Sequence, residues 1–134
     1  DGQDKNMKSH WAIGKDVPME EHIEKLLIMQ NLGVRFTTGL DMGMAFGNHD
    51  KSVANAWSLV ELLGWDNWKA IKASTSDTAE ALGFGEKIGR IKKNFYANFA
   101  AFSKDPAKNI RNLSDASSVI KNGKPIKINN NVLI

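Results

Sequence analysis

The sequence predicts an α/β segment followed by an all-β segment, and three observations carry that expectation. An apolar helical stripe stopped by Gly33 runs directly into the β-branched and aromatic stretch Val34-Arg35-Phe36-Thr37-Thr38. More helical periods follow as far as Gly83. Beyond Gly85 the texture changes to short strand patterns separated by turn signals. Helix, glycine and strand in that order form the return half of a βαβ unit, which implies a parallel sheet. The boundary falls near Gly83 to Glu86, giving parts 1–84 and 85–134.

Taken in order, residues 1–15 are polar and without period, and read as a loop or a poorly ordered start. Asp16-Val17-Pro18 opens a helix, with proline pre-set for the first turn and Glu20 and Glu21 favourable at the positive end of its dipole. Met19, Ile23, Leu26 and Leu27 form its apolar stripe. After the strand at 34–38, a glycine-containing loop extends from Gly39 through Asp50. A second helix from about Ser52 buries Val53, Ala56, Trp57, Val60 and Leu63 and stops at Gly64. Asp66 caps a short helix through Ala70 and Ile71, and Thr75 or Asp77 opens another that ends at Leu82-Gly83. Strands are expected at Ile88–Ile91, Phe99–Phe102, Val119–Lys121 and Pro125–Ile128. Asn122-Gly123 supplies the positive φ angles of a tight hairpin between the last two. The Asn129-Asn130-Asn131 tail reads as polar low complexity.

Composition narrows the function classes. The 134 residues suit one domain, burying roughly two-thirds of the surface the unfolded chain exposes. With no cysteine, disulfide scaffolds, thiolate metal sites and cysteine nucleophiles are excluded. The apolar runs are too short for a transmembrane helix, so no membrane association is expected. Eighteen basic against 15 acidic residues leave a net charge of +3, spread over scattered lysines, so nucleic acid is not an expected partner. The chain opens at Asp1 with no initiator methionine or signal-peptide pattern. It therefore reads as part of a longer protein, cytoplasmic by default, with export left open because any leader would lie upstream.

Asp41 is the main candidate for chemistry. It follows a strand's carboxyl end between Gly39 and Gly43, where ligands and catalytic groups gather in α/β sheets. A carboxylate there can hold a cation or take a proton from metal-bound water; it can equally be a turn-former. His49 can reach a ligand placed over the strand end or stand solvated in its loop. Met42 and Met44 can line an apolar pocket or fill gaps. His22 sits among glutamates on a helix face and His10 in the polar start, and no two histidines have metal-binding spacing. Trp57, Trp65 and Trp68 read as core, and Lys87, Arg90, Lys92 and Lys93 as a solvated strand edge.

These residues resemble a family. Gly39-Leu40-Asp41-Met42-Gly43 is similar to the Gly-Thr-Asp-x-Gly segment that closes the last barrel strand of the metal-dependent amidohydrolase superfamily, with Leu40 in place of threonine. Ala70 to Gly83 resembles the family's Ala-Leu-x-x-Ala-Thr-x-x-x-Ala-x-x-Leu-Gly helix joint, and Lys87-Ile88-Gly89-Arg90-Ile91 its Lys-Ile-Gly-x-Ile strand. Lys93-Asn94-Phe95-Tyr96-Ala97-Asn98-Phe99 stands where Pro-Gly-Lys-x-Ala-Asp-Leu is common; asparagine at 94 tolerates the left-handed conformation, while Asn98 loses a charge. Asp105-Pro106, Asn109-Ile110 and Val119 to Lys124 resemble the closing hairpin. Residues 34–63 are most similar to the imidazolonepropionase-like and Xaa-Pro dipeptidase-like branch, and the likeness runs from about Met19 to Lys127.

The resemblance implies the last helix–strand–helix units of a TIM-like metal-dependent hydrolase barrel, followed by part of a β-sandwich. It implies one or two divalent ions, zinc foremost, activating a water that cleaves a carbon–nitrogen bond in an amide, cyclic amide or dipeptide. Asp41 would be the last metal ligand and the general base, with Met42 and His49 on the substrate side. The other ligands, a His-x-His on the first strand among them, are not in this chain. A full barrel needs roughly 250 residues. The expectation is therefore an inactive piece of an active hydrolase, whose partners are the missing N-terminal portion and further copies of itself. A non-catalytic structural protein or a basic binding module is the alternative, for which Leu40, Asn98 and the run from Lys87 to Lys93 leave room.

Overall fold

The computed structural model describes residues 18–39 and 52–133. The chain divides after Val34 into two compact units. In the first, α1 spans Met19–Asn31, with Pro18 at its N-cap in an extended conformation. Glu20 and Glu21 occupy the first turn, and Glu21 accepts a hydrogen bond from Lys25 at 2.6 Å, one turn on. That bond, and then the lysine's charge, holds the Glu21 carboxyl below its ordinary value. Gly33 ends the helix as expected. At φ 79° it lets its own amide reach Gln30 O and the Val34 amide reach Met29 O, the paired bonds of a left-handed cap. Ile23 and Leu26 of the stripe are half-buried, and Met19 and Leu27 are exposed.

The second unit begins with Val34's neighbour Arg35. Three helices follow: α2 Ala54–Glu61, α3 Asn67–Ala73 and α4 Ser76–Ala81. Asp66 caps α3, its carboxylate accepting the Lys69 amide at 2.7 Å. Thr75 precedes α4 without capping it; its hydroxyl turns back to Ile71 O. The core lies among these helices and their joints: Ala56, Leu59, Leu63, Trp65, Ala70, Ala73 and Ala79, closed by Ile110. The alanines allow close helix approach where bulkier side chains would hold the axes apart. Val53, Trp57 and Val60 are only half-buried, and Trp68 is 60% exposed, so Trp68 is not core.

The β segment is a four-stranded antiparallel meander: β1 Phe99–Phe102, β2 Ala116–Lys121, β3 Lys124–Ile128 and β4 Asn131–Val132. Ala100 faces Val119, Lys121 faces Lys124, and Lys127 faces Val132. The β2–β3 hairpin turns on Asn122 and Gly123, at φ 50° and 75°, as their sequence predicts. A 3-10 helix, Ile110–Ser114, lies between β1 and β2.

Two expectations are corrected. Residues 34–39 join no ladder and no helix; a parallel strand exists only through its neighbours, and the described residues supply none. Ile88–Ile91 is bent, irregular backbone rather than strand. Gly89 sits at φ 87° against α4, where a Cβ would lie 2.8 Å from Ala79 Cβ and 2.9 Å from Thr75 O. Left-handed backbone at that close approach interrupts an extended run, so the glycine serves packing on the helix. Asn129 and Asn130 take positive φ angles and turn the chain into β4.

Candidate active site

Asp41, Met42 and His49 lie outside the described residues, as do Leu40 and Met44. What the structure does define is the chain on either side of them. Arg35, Thr37 and Gly39 are exposed, whereas Phe36 and Thr38 are half-buried, a two-residue alternation. Phe36 meets Trp65 edge-on, with ring centroids 5.9 Å apart and planes at 87°. Lys69 Nζ lies 3.8 Å from the Trp65 ring centroid, covering the indole with a cation.

Two side chains then take hold of the backbone just before Leu40. The Thr38 amide donates to Thr78 Oγ1 at 3.1 Å, and the Thr78 hydroxyl donates in turn to Ala73 O at 2.5 Å. Asn55 Nδ2 donates to Gly39 O at 2.6 Å. One anchor comes from α2 and the other from the start of α4, so the helical layer holds Thr38 and Gly39, the last two described residues before position 40. Sequence reading missed both. Asn55 and Thr78 carry no motif, and their partners are 16 and 40 residues away.

No group of three or more His, Cys, Asp or Glu side chains among the described residues is placed to hold a metal ion. The described residues alone therefore do not fit the ion that the resemblance implies. His22 is accounted for locally, its Nδ1 lying 3.3 Å from Pro18 O at the start of α1.

The basic run is partly neutralised rather than presented as a strand edge. Arg90 donates to Glu80 at 2.6 Å, which holds the Glu80 carboxyl below its ordinary value, and Lys92 lies 5.4 Å from the Phe95 ring. Asn94 takes φ 70°, the left-handed conformation expected of it. Asn98 keeps a structural use despite the lost charge, its Oδ1 accepting the Asn122 amide of the hairpin turn at 2.6 Å. An open depression of about 580 Å³ beside that turn is lined by Phe95, Tyr96, Ala97, Asn122 and Gly123, none of them a candidate for chemistry. No helix among the described residues is long and apolar enough to cross a membrane.

No curated protein matches the chain in sequence. Among solved structures, a Xaa-Pro dipeptidase with methionine bound in its active site is similar at 27% identity and a TM-score of 0.70, over 78% of this chain and 25% of that one. Molinate hydrolase is similar at 25% identity and a TM-score of 0.67, over 78% of this chain and 26% of its own. A prolidase complexed with N-methylphosphonate-L-proline shares the fold at 24% identity and a TM-score of 0.67, over 79% of this chain and 26% of that chain. The chain thus spans about a quarter of the length of these structures. The model of the amidohydrolase family matches residues 4–126, nearly the whole sequence, and the chain belongs to that family.

Proposed function

We propose that the intact protein is a metal-dependent hydrolase of carbon–nitrogen bonds, with dipeptides ending in proline as the first substrate class to try. The family match over residues 4–126 carries this reading. The likeness to a Xaa-Pro dipeptidase narrows the choice among amide, cyclic amide and dipeptide. In this reading residues 1–84 complete a barrel and 85–134 complete a β-sandwich, and the intact protein self-associates.

Asp41 contributes a carboxylate to one or two divalent ions, zinc foremost, whose other ligands come from outside this chain. Such an ion, when bound, would supply Lewis-acid activation of a water near neutral pH. Asp41 would also serve as general base, and Met42 and His49 would line the substrate. One carboxylate holds such an ion weakly, so the isolated chain is inactive.

The test is a hydrolysis assay of the intact protein on Xaa-Pro dipeptides and on N-acyl and cyclic amides, with and without chelator. Activity that chelation abolishes and Asp41→Asn lowers about 10²- to 10⁴-fold is expected. Full activity in the Asp41→Asn protein would end the assignment of that residue. Hydrolysis by zinc-loaded chain 1–134 would overturn the inactivity of the piece.

A further inference from the structure

We propose that Asn122 is a latent deamidation site, held shut in the folded protein by the Ala97 carbonyl and the Asn98 carboxamide; this is independent of the activity proposed above. Asn122-Gly123 is the one Asn-Gly pair in the sequence. Deamidation of an asparagine begins at the backbone nitrogen of the residue that follows it, and a glycine there has no side chain to shield that nitrogen. Asn122 and Gly123 are both exposed. Apart from its chain neighbours, nothing lies within 4 Å of where a Gly123 Cβ would stand, so water reaches the turn.

The chemistry needs only water as co-reactant. The Gly123 nitrogen gives its proton to solvent and attacks Asn122 Cγ. A C–N bond forms and closes a cyclic imide, while the Cγ–Nδ2 bond breaks and ammonia leaves with a proton taken from water. One water then opens the imide at either carbonyl, giving aspartate or isoaspartate. Overall, an amide and water become a carboxylate and ammonium, with nothing oxidised or reduced. The product places a negative charge between the paired Lys121 and Lys124, and isoaspartate also lengthens the backbone of the turn by one carbon.

The structure opposes the first step. A tight turn bonds the residues that flank it and leaves its two central N–H groups without a partner of its own. Here the chain just before β1 takes both. The Asn122 N–H donates to Asn98 Oδ1 at 2.6 Å, and the Gly123 N–H donates to Ala97 O at 3.0 Å. The Gly123 nitrogen reaches Asn122 Cγ only when the peptide plane between the two residues rotates, and that rotation breaks the bond to Ala97. The same bond disfavours loss of the proton, since the carbonyl dipole would then face an anion. Asn98 pins the other side of Asn122, so the rotation cannot be absorbed there. Deamidation therefore waits on local opening of the turn from residues 97 and 98.

The test incubates the intact protein, folded and in urea, and follows isoaspartate at residue 122 by peptide mapping. The folded protein is expected to convert at least about tenfold more slowly than the unfolded chain. Asn98→Ala should convert roughly three- to tenfold faster than the folded parent, the factor that one net hydrogen bond is worth. Asn98→Asp keeps the acceptor and should stay at or below the parent's rate. Hydrogen exchange gives a second readout without any substitution: the Asn122 and Gly123 amides should exchange at least about tenfold more slowly than those of a free turn.

The absence of isoaspartate in urea would overturn the site itself. Equal rates in the folded protein and in urea, or free exchange at both amides, would overturn its protection by residues 97 and 98. Folded Asn98→Ala converting at the parent's rate would overturn the part given to Asn98. Should that variant not fold, exchange at the two amides of the parent decides.

Discussion

Arg111 grips Glu61 through one edge of its guanidinium, Nε to Oε1 and Nη2 to Oε2 at 2.6 Å each, while lying 4.2 Å from the ring centroid of Trp57. Trp57 and Glu61 are one turn apart on α2, and Arg111 belongs to the 3-10 helix that follows β1. One planar cation thus fastens the helical layer to the segment beside the sheet. The Trp57 indole nitrogen is buried with no hydrogen-bond partner among the described residues, and the guanidinium, having only donors, cannot supply one. Arg111→Lys keeps the charge but loses the fork and the stacking. With both partners about half exposed, solvent screening limits the loss to about 1 kcal/mol. Arg111→Ala should cost about 1–2 kcal/mol, since the cover on the indole goes too. Urea unfolding of the two variants checks the order, and equal midpoints in both and in the parent would remove the clamp from the account.

Gly89 and Gly123 make a matched pair for separating backbone strain from crowding. Both have positive φ, 87° and 75°, but only Gly89 has atoms within 3 Å of where a Cβ would stand. Gly123→Ala is expected to cost about 1 kcal/mol, the ordinary penalty of a left-handed residue. Gly89→Ala adds a collision with the start of α4 and should cost roughly 2–4 kcal/mol. Thermal unfolding of both proteins measures the difference, which vanishes if Gly89 does not rest on α4.

Acid should loosen the contact between Glu80 and Arg90. The hydrogen bond from Arg90, followed by its charge, lowers the Glu80 carboxyl from its ordinary 4.5. A carboxyl depressed on folding contributes stability above its unfolded value, and that contribution is lost as pH falls through the folded one. Both groups are solvent-exposed, so the effect is small and screened by salt. Glu80→Gln should flatten the dependence of the unfolding midpoint on pH below about 4.5. An unchanged slope would mean that Arg90 does not hold the carboxylate in solution.

Asp66 offers a local check on α3. Its carboxylate caps the helix through the Lys69 amide, and Asp66→Ala should cost about 1 kcal/mol while Asp66→Asn costs less. Urea midpoints would show it, and equal losses for the two variants would point to charge rather than capping.

Much of this protein was legible in its residues because the relevant forces act over a few positions. Pro18 and Gly33 bound α1, Asp66 caps α3, Leu82-Gly83 closes α4, and Asn122-Gly123 turns the hairpin, each through backbone angles or bonds spanning at most a few residues. Family membership was legible for a similar reason, since the ordered motifs from Gly39 to Lys124 lie in the sequence itself. What the sequence could not decide was anything that depends on a distant partner. β-branched residues at 34–38 and 88–91 favour extended backbone, but a strand needs a neighbour to pair with. The first lacks one among the described residues, and the second is bent where Gly89 meets α4. Asn55 on Gly39, Thr78 on Thr38 and Arg111 on Trp57 are products of tertiary structure alone, because hydrogen bonds and stacking between residues 16 to 54 positions apart exist only once packing has brought them together.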